Sequence, residues 1–399
     1  MTNAMQLLPV WLDQFGHPTG SVLGFFGAST GIGGVVALLF LSWMPDKYGR
    51  RVPTVLGGIL IIIGALIQNF SSSLGMFIGG KIVLGCGVTT VQLGAPVLVA
   101  ELSHPKERAT VGTFYNTSVY LGYVVGAWIT FGVAKMTTPW SWKIPTLLQM
   151  APSVYQLCLI FFCPESPRWL VAQGRDEQAL QILVKYHGGG DASSDLVATE
   201  FAEIKEAIAR DREANMAWKD VFRSKANWKR IFLCVCVATF SQTTGNLLVS
   251  NYLPSILADT GLDSSFQSTL INGMVTLWSY IVSLLVAALI NRFKRRTFFL
   301  FGSGGTMVVF IVWTICAQQY SEKNSIAAGR VVIASIFLFQ AFYSIAWLNL
   351  VALYPMELCP YALRSKMWAL VLLVIYAAQI FGNYVNPVGT DSLGWKFYI

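Results

Sequence analysis

The sequence predicts an all-α protein that crosses a membrane many times. Three observations carry this reading. Of 399 residues, 54% are hydrophobic and only 12% are charged, about half the charged share of a soluble domain. Mean hydropathy is +0.56. Ten apolar runs lie near 22–44, 55–74, 77–100, 111–134, 144–163, 231–257, 268–290, 297–317, 327–354 and 367–386. Each approaches the roughly 20 residues that span a bilayer as a helix. A soluble cytosolic enzyme, a disordered chain and a disulfide-stapled secreted scaffold are excluded.

The formal net charge is +8. No module interleaves aromatic and basic residues, so nucleic acid is not an expected partner. Loops facing anionic lipid explain the basic excess better. Most of the 28 Lys and Arg lie in alternate loops beginning with 45–53: Lys47, Arg50 and Arg51; Lys106 and Arg108; the stretch from Arg168 to Arg230; Arg292 to Arg296; Arg364 and Lys366. The positive-inside rule then puts these loops, with 164–230, in the cytoplasm and starts the N-terminus outside. The seven cysteines sit in or beside apolar runs without a CxxC spacing, and read as small apolar fillers. No metal, cofactor, phosphate-cradling or Ser-His-Asp set is expected. His17, His104 and His187 all lie outside the runs.

Segment 164–230 divides the spans five and five. It is polar yet patterned. Leu180, Leu183 and Val184 recur at helical spacing, as do Phe201, Ile204 and Ile208, with Gly188-Gly189-Gly190 between them. Two short amphipathic helices are expected. The chain is therefore read as an N-terminal bundle (1–163), a cytoplasmic linker (164–230) and a C-terminal bundle (231–399).

The two bundles echo each other. Asp46-Lys47-Tyr48-Gly49-Arg50-Arg51 is followed by Glu101 and Arg108; Asn291-Arg292-Phe293-Lys294-Arg295-Arg296 is followed by Glu357 and Arg364. Each Glu precedes its Arg by seven residues, in matching topological places. Positive-inside bias explains the Arg pairs alone; duplicated halves, as in transporters, explain the repeated spacing as well.

With these motifs in place, the chain resembles the sugar porter family of the major facilitator superfamily. Asp46...Gly49-Arg50-Arg51 resembles its loop 2–3 motif. Pro96 to Ser103 with Arg108 resembles its loop 4–5 motif, and Tyr354-Pro355-Met356-Glu357-Leu358 with Arg364 its loop 10–11 motif. Pro164-Glu165-Ser166-Pro167-Arg168-Trp169-Leu170 is the most specific mark. His17 to Ser21 and Leu393 to Ile399 are similar to the fungal lactose-permease-like and hexose-transporter branch. The resemblance covers essentially the whole chain. It implies two pseudo-symmetric six-helix bundles, of which ten spans are expected here, family helices 2 to 11. The coupling Asp that proton-coupled members carry on helix 1 then has no counterpart.

The resemblance further implies that Asp46, Arg50, Arg51, Glu101, Arg108, Glu165, Arg168, Arg295, Arg296, Glu357 and Arg364 form a cytoplasmic latch. Exposed pairs contribute only about 1 kcal/mol or less each, but several together bias a rocking equilibrium. Topology signalling is the competing reading for the cations; acids are not needed for it. Asn291 and Lys294 replace the expected Asp and Gly.

Amides inside spans are costly and face a cavity or a partner helix. They suit sugars because each offers donors and acceptors to hydroxyl groups. Gln242 and Asn246 are four residues apart, expected on one helix face, and Gln379 and Asn383 repeat that spacing. By resemblance, Gln242 and Asn116 take sugar-contacting positions of helices 7 and 5, and Asn246, one place from the family's usual Asn, is similar to the Gly-Asn of the lactose-permease-like branch. The competing reading for each is an interhelical hydrogen bond of about 0.6 kcal/mol. Ser279 stands where the family has Asn, Ala352 where it has an aromatic, with Trp347 five residues earlier; Lys81 replaces an Arg and Ala109 a Gly. Gly27 and Gly31, Gly79 and Gly80, and Gly122 and Gly126 are expected at close helix contacts.

The sequence thus predicts a transmembrane transporter of a hexose or of a disaccharide such as lactose, working by alternating access. Its partners are sugar, membrane lipid and, in symport, a proton. The plasma membrane is the family default. No Asp or Glu lies deep in a span. The rival reading is a non-transporting relic, sensor or incomplete gene model of the same family.

Overall fold

The computed structural model describes residues 5, 8–105, 107–191, 193–214, 225–249, 265–289, 292–323, 326–359, 364–393 and 396–397. Described secondary structure is helical, with no strand among these residues. In hydrocarbon a helix satisfies every backbone N–H and C=O internally, which leaves it as the default for an apolar run of this length.

The first half opens on a short helix, α1 (Pro9–Phe15). Its Trp11 and Phe15 bury with Met5 and Leu8 against Phe26, Phe77 and Trp142. Long helices follow: α2 (Gly20–Leu41), α4 (Arg51–Asn69), α5 (Leu74–Leu102) and α6 (Arg108–Val133), with the single turn α3 (Met44–Tyr48) between α2 and α4. The fifth expected span is divided into α7 (Trp140–Leu148) and α8 (Ala151–Ile160). Pro152 stands in the first turn of α8. Its missing N–H suits a helix start and blocks continuation of α7.

The polar linker holds α9 (Pro167–Ala172), α10 (Asp176–Tyr186) and α11 (Asp195–Ala214). Gly189 and Gly190 have φ of +61° and +93° between α10 and α11, so the amphipathic pair expected from the spacing is present. Leu183, Val197 and Ile204 bury against Leu170 and Val171, whereas Leu180 stays exposed. The second half comprises α12 (Lys225–Thr243), α13 (Ser265–Leu289), α14 (Arg295–Lys323), α15 (Ile326–Tyr343), a π-helical turn (Ser344–Leu348), α16 (Asn349–Leu358) and α17 (Arg364–Leu393).

Among the described residues, eight helices are long and apolar enough to cross a membrane. The other two expected spans are α6, whose apolar part is the shorter Thr117–Val133, and the divided α7–α8. The expected span 231–257 extends past residue 249 into positions outside the described residues.

Small residues bring helices together where a side chain would not fit. A Cβ on Gly33 of α2 would overlap the Ile82 carbonyl of α5 and sit 2.8 Å from the Cys86 amide nitrogen. That approach lets the Cys86 thiol donate to the Gly33 carbonyl at 3.2 Å. Of the glycines expected at contacts, Gly31 meets Ile380 and Gly80 meets Gln68, but Gly79 and Gly122 face open space. Spacing within a run does not reveal which helix face is covered.

The halves join along two seams. α2 lies on α17: Gly24 against the Tyr384 backbone, Gly31 against Ile380, Gly34 against the Tyr376 ring, and Leu38 with Leu372. α6 lies on α13 through Phe131 and Phe266, ring centroids 4.9 Å apart, and through Trp128 over Gly273. Replacing Gly33 with Leu is expected to lower the melting temperature of the purified protein sharply, the overpacking penalty being about 1–3 kcal/mol or more. Gly75→Leu, where a Cβ meets nothing within 4 Å, is expected to leave it unchanged. Thermal unfolding in detergent compares the two.

Candidate functional site

The run Ser241-Gln242-Thr243-Thr244-Gly245-Asn246 interrupts an otherwise apolar segment. The backbone breaks there. α12 ends at Thr243 and Gly245 takes a left-handed φ of +92°, a conformation glycine adopts at no steric cost. A helical turn resumes beyond, the Val249 amide donating to the Gly245 carbonyl at 3.1 Å. A Cβ on Gly245 would press on the Phe310 ring at 2.9 Å. Gln242 and Asn246 therefore stand on either side of a turn and do not share the continuous helix face their spacing predicts.

Non-helical backbone at membrane depth persists only where protein covers it or where it lines a cavity. Opposite this break stands a second irregularity, the π-turn between α15 and α16. Such turns recur at functional sites. The two are tied together: the Tyr343 hydroxyl donates to the Ser241 carbonyl at 2.8 Å, and the Phe240 and Trp347 rings lie 6.4 Å apart. Around them, Thr244 Oγ1, Gln340 Oε1, Ser344 Oγ and Trp347 Nε1 are buried and have no hydrogen-bond partner among the described residues. An orphaned buried polar atom costs about 1–3 kcal/mol. A ligand bearing several hydroxyl groups would satisfy them.

A second polar group lies on the α2–α5–α17 seam. Thr89 Oγ1 donates to the Tyr376 hydroxyl at 2.9 Å, which in turn donates to Gln92 Oε1 at 2.8 Å. Asn383 is buried and its Nδ2 donates to the Gly27 carbonyl at 3.0 Å. Gln379 Oε1 faces Gly31 in the same seam. Gln242 Nε2 donates to Ser241 Oγ at 3.0 Å, and Asn246 is half-buried just beyond the break. The side chain of Asn116 lies outside the described residues. Ser279 is committed to the Val275 carbonyl at 2.8 Å. The Lys81 ammonium is buried, donating to the Phe26 carbonyl at 2.7 Å and lying 3.6 Å from the centre of the Phe26 ring.

Thr244, Ser344, Thr89 and Tyr376 carry no amide, and the span amides Gln340 and Gln92 lack a second amide four residues away, so none of these stood out in the sequence. A polar run holding a glycine inside an apolar segment was the signal that could have found the break.

The expected charged residues assemble at the linker side of the bundle. Glu165 accepts from the amides of Arg50 (3.0 Å), Arg51 (3.2 Å) and Ser166 (2.9 Å). Its carboxylate fills the space where Gly49, at φ +89°, has no Cβ. Arg50 Nε lies 3.3 Å from Glu101 Oε2, the two side chains being 16% and 13% exposed, so the pair feels a reduced dielectric. Ser166 Oγ donates to Glu101 and accepts from the Trp169 amide, capping α9. Asp46 is exposed, 3.5 Å from Arg50 Nη1, and its carbonyl accepts from Trp169 Nε1 at 3.0 Å. Arg51 Nη2 donates to the Phe161 carbonyl at 3.3 Å. Arg168 lies in the first turn of α9. In the second half Arg295 grips Glu357 with two bonds of 3.1 and 2.9 Å, and Arg296 is exposed. The side chains of Arg108 and Arg364 lie outside the described residues. Among the described residues, each ion pair joins partners within one half or within the linker.

Paired helical halves, a broken span facing a π-turn, and mirrored charge clusters at one end define a polytopic membrane transporter. The family model described as Sugar (and other) transporter matches residues 12–399, and the chain belongs to this sugar porter family of the major facilitator superfamily. The High-affinity glucose transporter of Kluyveromyces lactis is 28% identical over 410 residues, 98% of this chain and 74% of that protein. The Probable metabolite transport protein CsbC of Bacillus subtilis is 30% identical, covering 89% and 74%. Sugar transport protein 10 of Arabidopsis thaliana is 27% identical, covering 86% and 66%. The chain thus spans about two thirds to three quarters of the length of these relatives. Among solved structures, the xylose transporter XylE from E. coli, in a partially occluded inward open conformation, superposes with a TM-score of 0.81 at 19% identity, covering 99% of this chain and 90% of that one. That likeness shares the fold. The relatives are transporters, not enzymes.

Glu165→Gln keeps the shape of the carboxylate but removes the charge from a site ringed by three amides. Each charge-assisted bond contributes about 1.5–3 kcal/mol, so a clear drop in melting temperature is expected, whereas Asp46→Asn, on an exposed side chain, leaves it near wild type. Equal effects from the two changes would contradict the anchoring role of Glu165.

Proposed function

We propose that the chain moves a sugar across the membrane by alternating access, binding it beside the break at Gly245. The observation that carries this is the juxtaposition of Thr244, Gln340, Ser344 and Trp347, whose buried polar atoms have no partner, with the divided helix α12. Gln242 and Asn246 flank the break and are placed to add amide contacts. Asn116, Gln379 and Asn383 complete the proposed set from the other elements. Gln379 and Asn383 also serve the seam, where small shifts between α2 and α17 would be felt by bound substrate.

In this reading residues 1–163 and 231–399 rock against each other about the α2–α17 and α6–α13 seams, with 164–230 as a cytoplasmic tether. Asp46, Arg50, Arg51, Glu101, Arg108, Glu165, Arg168, Arg295, Arg296, Glu357 and Arg364 line the cytoplasmic face, holding each half rigid so that it moves as a body and biasing the closed inner gate. A hexose is favoured, supported by the similarity to a glucose transporter; a disaccharide such as lactose is the larger alternative. Proton symport is a second reading, supported by the likeness to a protein described as a proton:xylose symporter. The plasma membrane is the proposed location.

Uptake of labelled hexoses and lactose into transporter-null cells tests the proposal, with surface amount measured alongside. Gln242→Ala and Gln340→Ala are each expected to lower hexose uptake about tenfold, the loss of one hydrogen bond to a buried polar ligand. Uptake at wild-type rates in both variants would refute the site. Symport predicts that a proton ionophore abolishes accumulation; facilitated diffusion predicts no effect on the initial rate.

A further inference from the structure

The ring of His187 lies between two oxygens from different parts of the chain. Its Nδ1 is 2.6 Å from Glu200 Oε2 of α11, and its Nε2 is 3.2 Å from the Leu102 carbonyl at the end of α5. The His187 and Glu200 side chains are largely sealed from water, 3% and 10% exposed. His187 directly follows α10, its amide donating to the Leu183 carbonyl at 2.8 Å. One ring therefore joins α10, α11 and the first half at a single point.

Counting protons decides what this ring must carry. A carbonyl oxygen only accepts, so Nε2 must bear a proton to bond Leu102. An ionised carboxylate also only accepts, so Nδ1 must bear a proton to bond it. The two bonds thus need two protons on the pair. They are held either as an imidazolium facing a carboxylate, or as a neutral ring whose Nδ1 accepts from a protonated Glu200. A neutral ring beside an ionised Glu200 holds one proton too few. One bond is then lost, and a bare ring nitrogen faces an oxygen lone pair.

The surroundings suit the two-proton form. Leu102 is the last residue of α5 and Tyr186 the last of α10, so the ring sits at two helix C-termini, where positive charge is favoured. The charged groups of the neighbouring elements are placed as follows. Glu101, beside Leu102, meets Arg50 at 3.3 Å and accepts from Ser166. Lys185 of α10 lies over the Tyr186 ring. Arg168 occupies the first turn of α9. Glu107 of the loop after α5 and Glu203 of α11 are exposed. The His104 ring, from the same loop, stands edge-on to His187 with centroids 5.6 Å apart. It is a second imidazole at this point, so substitution must tell the two apart.

We propose that His187 and Glu200 form a proton-dependent clasp that seats α10 and α11 on the first half. With two protons on the pair the clasp is closed. As pH rises and one proton leaves, the bond to Leu102 or to Glu200 is lost, and the two helices loosen from the end of α5. α9 stays anchored, since Glu165 accepts from the Arg50 amide and Trp169 donates to the Asp46 carbonyl. Leu102 follows Glu101 directly, so the closed clasp also braces the Arg50–Glu101 pair. The clasp rests on the seating of the linker and not on the sugar-binding reading, so either can fail without the other. With 164–230 in the cytoplasm, as proposed, the clasp reads cytosolic pH.

Hydrogen–deuterium exchange of the purified full chain tests it, at about pH 6 and about pH 8.5, on either side of the range in which histidine changes charge. Protection is taken relative to the intrinsic exchange rate at each pH. From the lower to the higher pH, protection at the amides of 183–190 and 197–204 is expected to fall about tenfold, the loss of one charge-assisted hydrogen bond. The amides of α4 are expected to keep their protection, which shows that the bundle stays folded. His187→Gln is expected to show the loosened level at both pH values. Glu200→Gln is expected to stay protected at both, because an amide can donate to the Nδ1 of a neutral ring while Nε2 bonds Leu102. His104→Gln is expected to keep the pH dependence. Equal wild-type protection at the two pH values, a pH dependence that survives in His187→Gln, or its disappearance in His104→Gln would overturn the proposal. So would a Glu200→Gln chain that loosens at the higher pH as the wild type does.

Discussion

A peptide group inside hydrocarbon has no water to bond to, so each N–H and C=O in a span must find its partner within the protein. This constraint turns every long apolar run here into a helix and makes each departure from helix informative. Among the described residues of the second half, two departures stand out: the left-handed Gly245 after α12 and the π-turn at Ser344–Leu348. They face each other, joined by the Tyr343 hydroxyl on the Ser241 carbonyl. Irregular backbone there is tolerated because aromatic rings from α14 and α15 cover it, Phe310 and Phe339 lying against Gly245. Beside this irregularity, buried side-chain polar atoms have no hydrogen-bond partner among the described residues, which is the physical basis of the proposed sugar site.

The first half solves a different problem at its linker side. A carboxylate, Glu165, is held by three backbone amides, and an Arg50–Glu101 pair sits beside it with little exposure. These bonds bind the turn after α3, the end of α5 and the start of α9 into one unit. His187 extends the unit, its ring bonding Glu200 at 2.6 Å and the Leu102 carbonyl at 3.2 Å. The linker helices are therefore seated on the first half. A rigid half with its tether fixed is what the proposed rocking about a seam requires, and the glycines of α2 make that seam close.

Much of this was legible in the residues. Long apolar runs dictated the helices, and periodic Leu183 and Ile204 dictated the buried faces of α10 and α11. The motifs holding Arg50, Glu101 and Glu165 marked a charged cluster, though not that Glu165 of the linker would be held by backbone amides of the first half. What could not be read follows from three-dimensional contact. Gly33 and Gly79 both sit in apolar helices, yet only one faces a neighbouring backbone. Gln242 and Asn246 have helical spacing, but the intervening glycine turns the chain. Tyr376 looks like an ordinary span aromatic until Thr89 and Gln92 of the other half reach its hydroxyl. Asn383 reads equally as a sugar contact or a packing amide, and its bond to the Gly27 carbonyl shows the packing role.

Hydrogen–deuterium exchange with and without hexose probes the heart of the matter, whether the broken helix is where substrate sits. Bound sugar should slow exchange at the amides of 245–249 and 344–348 together, since both irregular segments lie beside the orphaned polar side-chain atoms. Protection confined to other spans, with these two segments unchanged at saturating sugar, would contradict it.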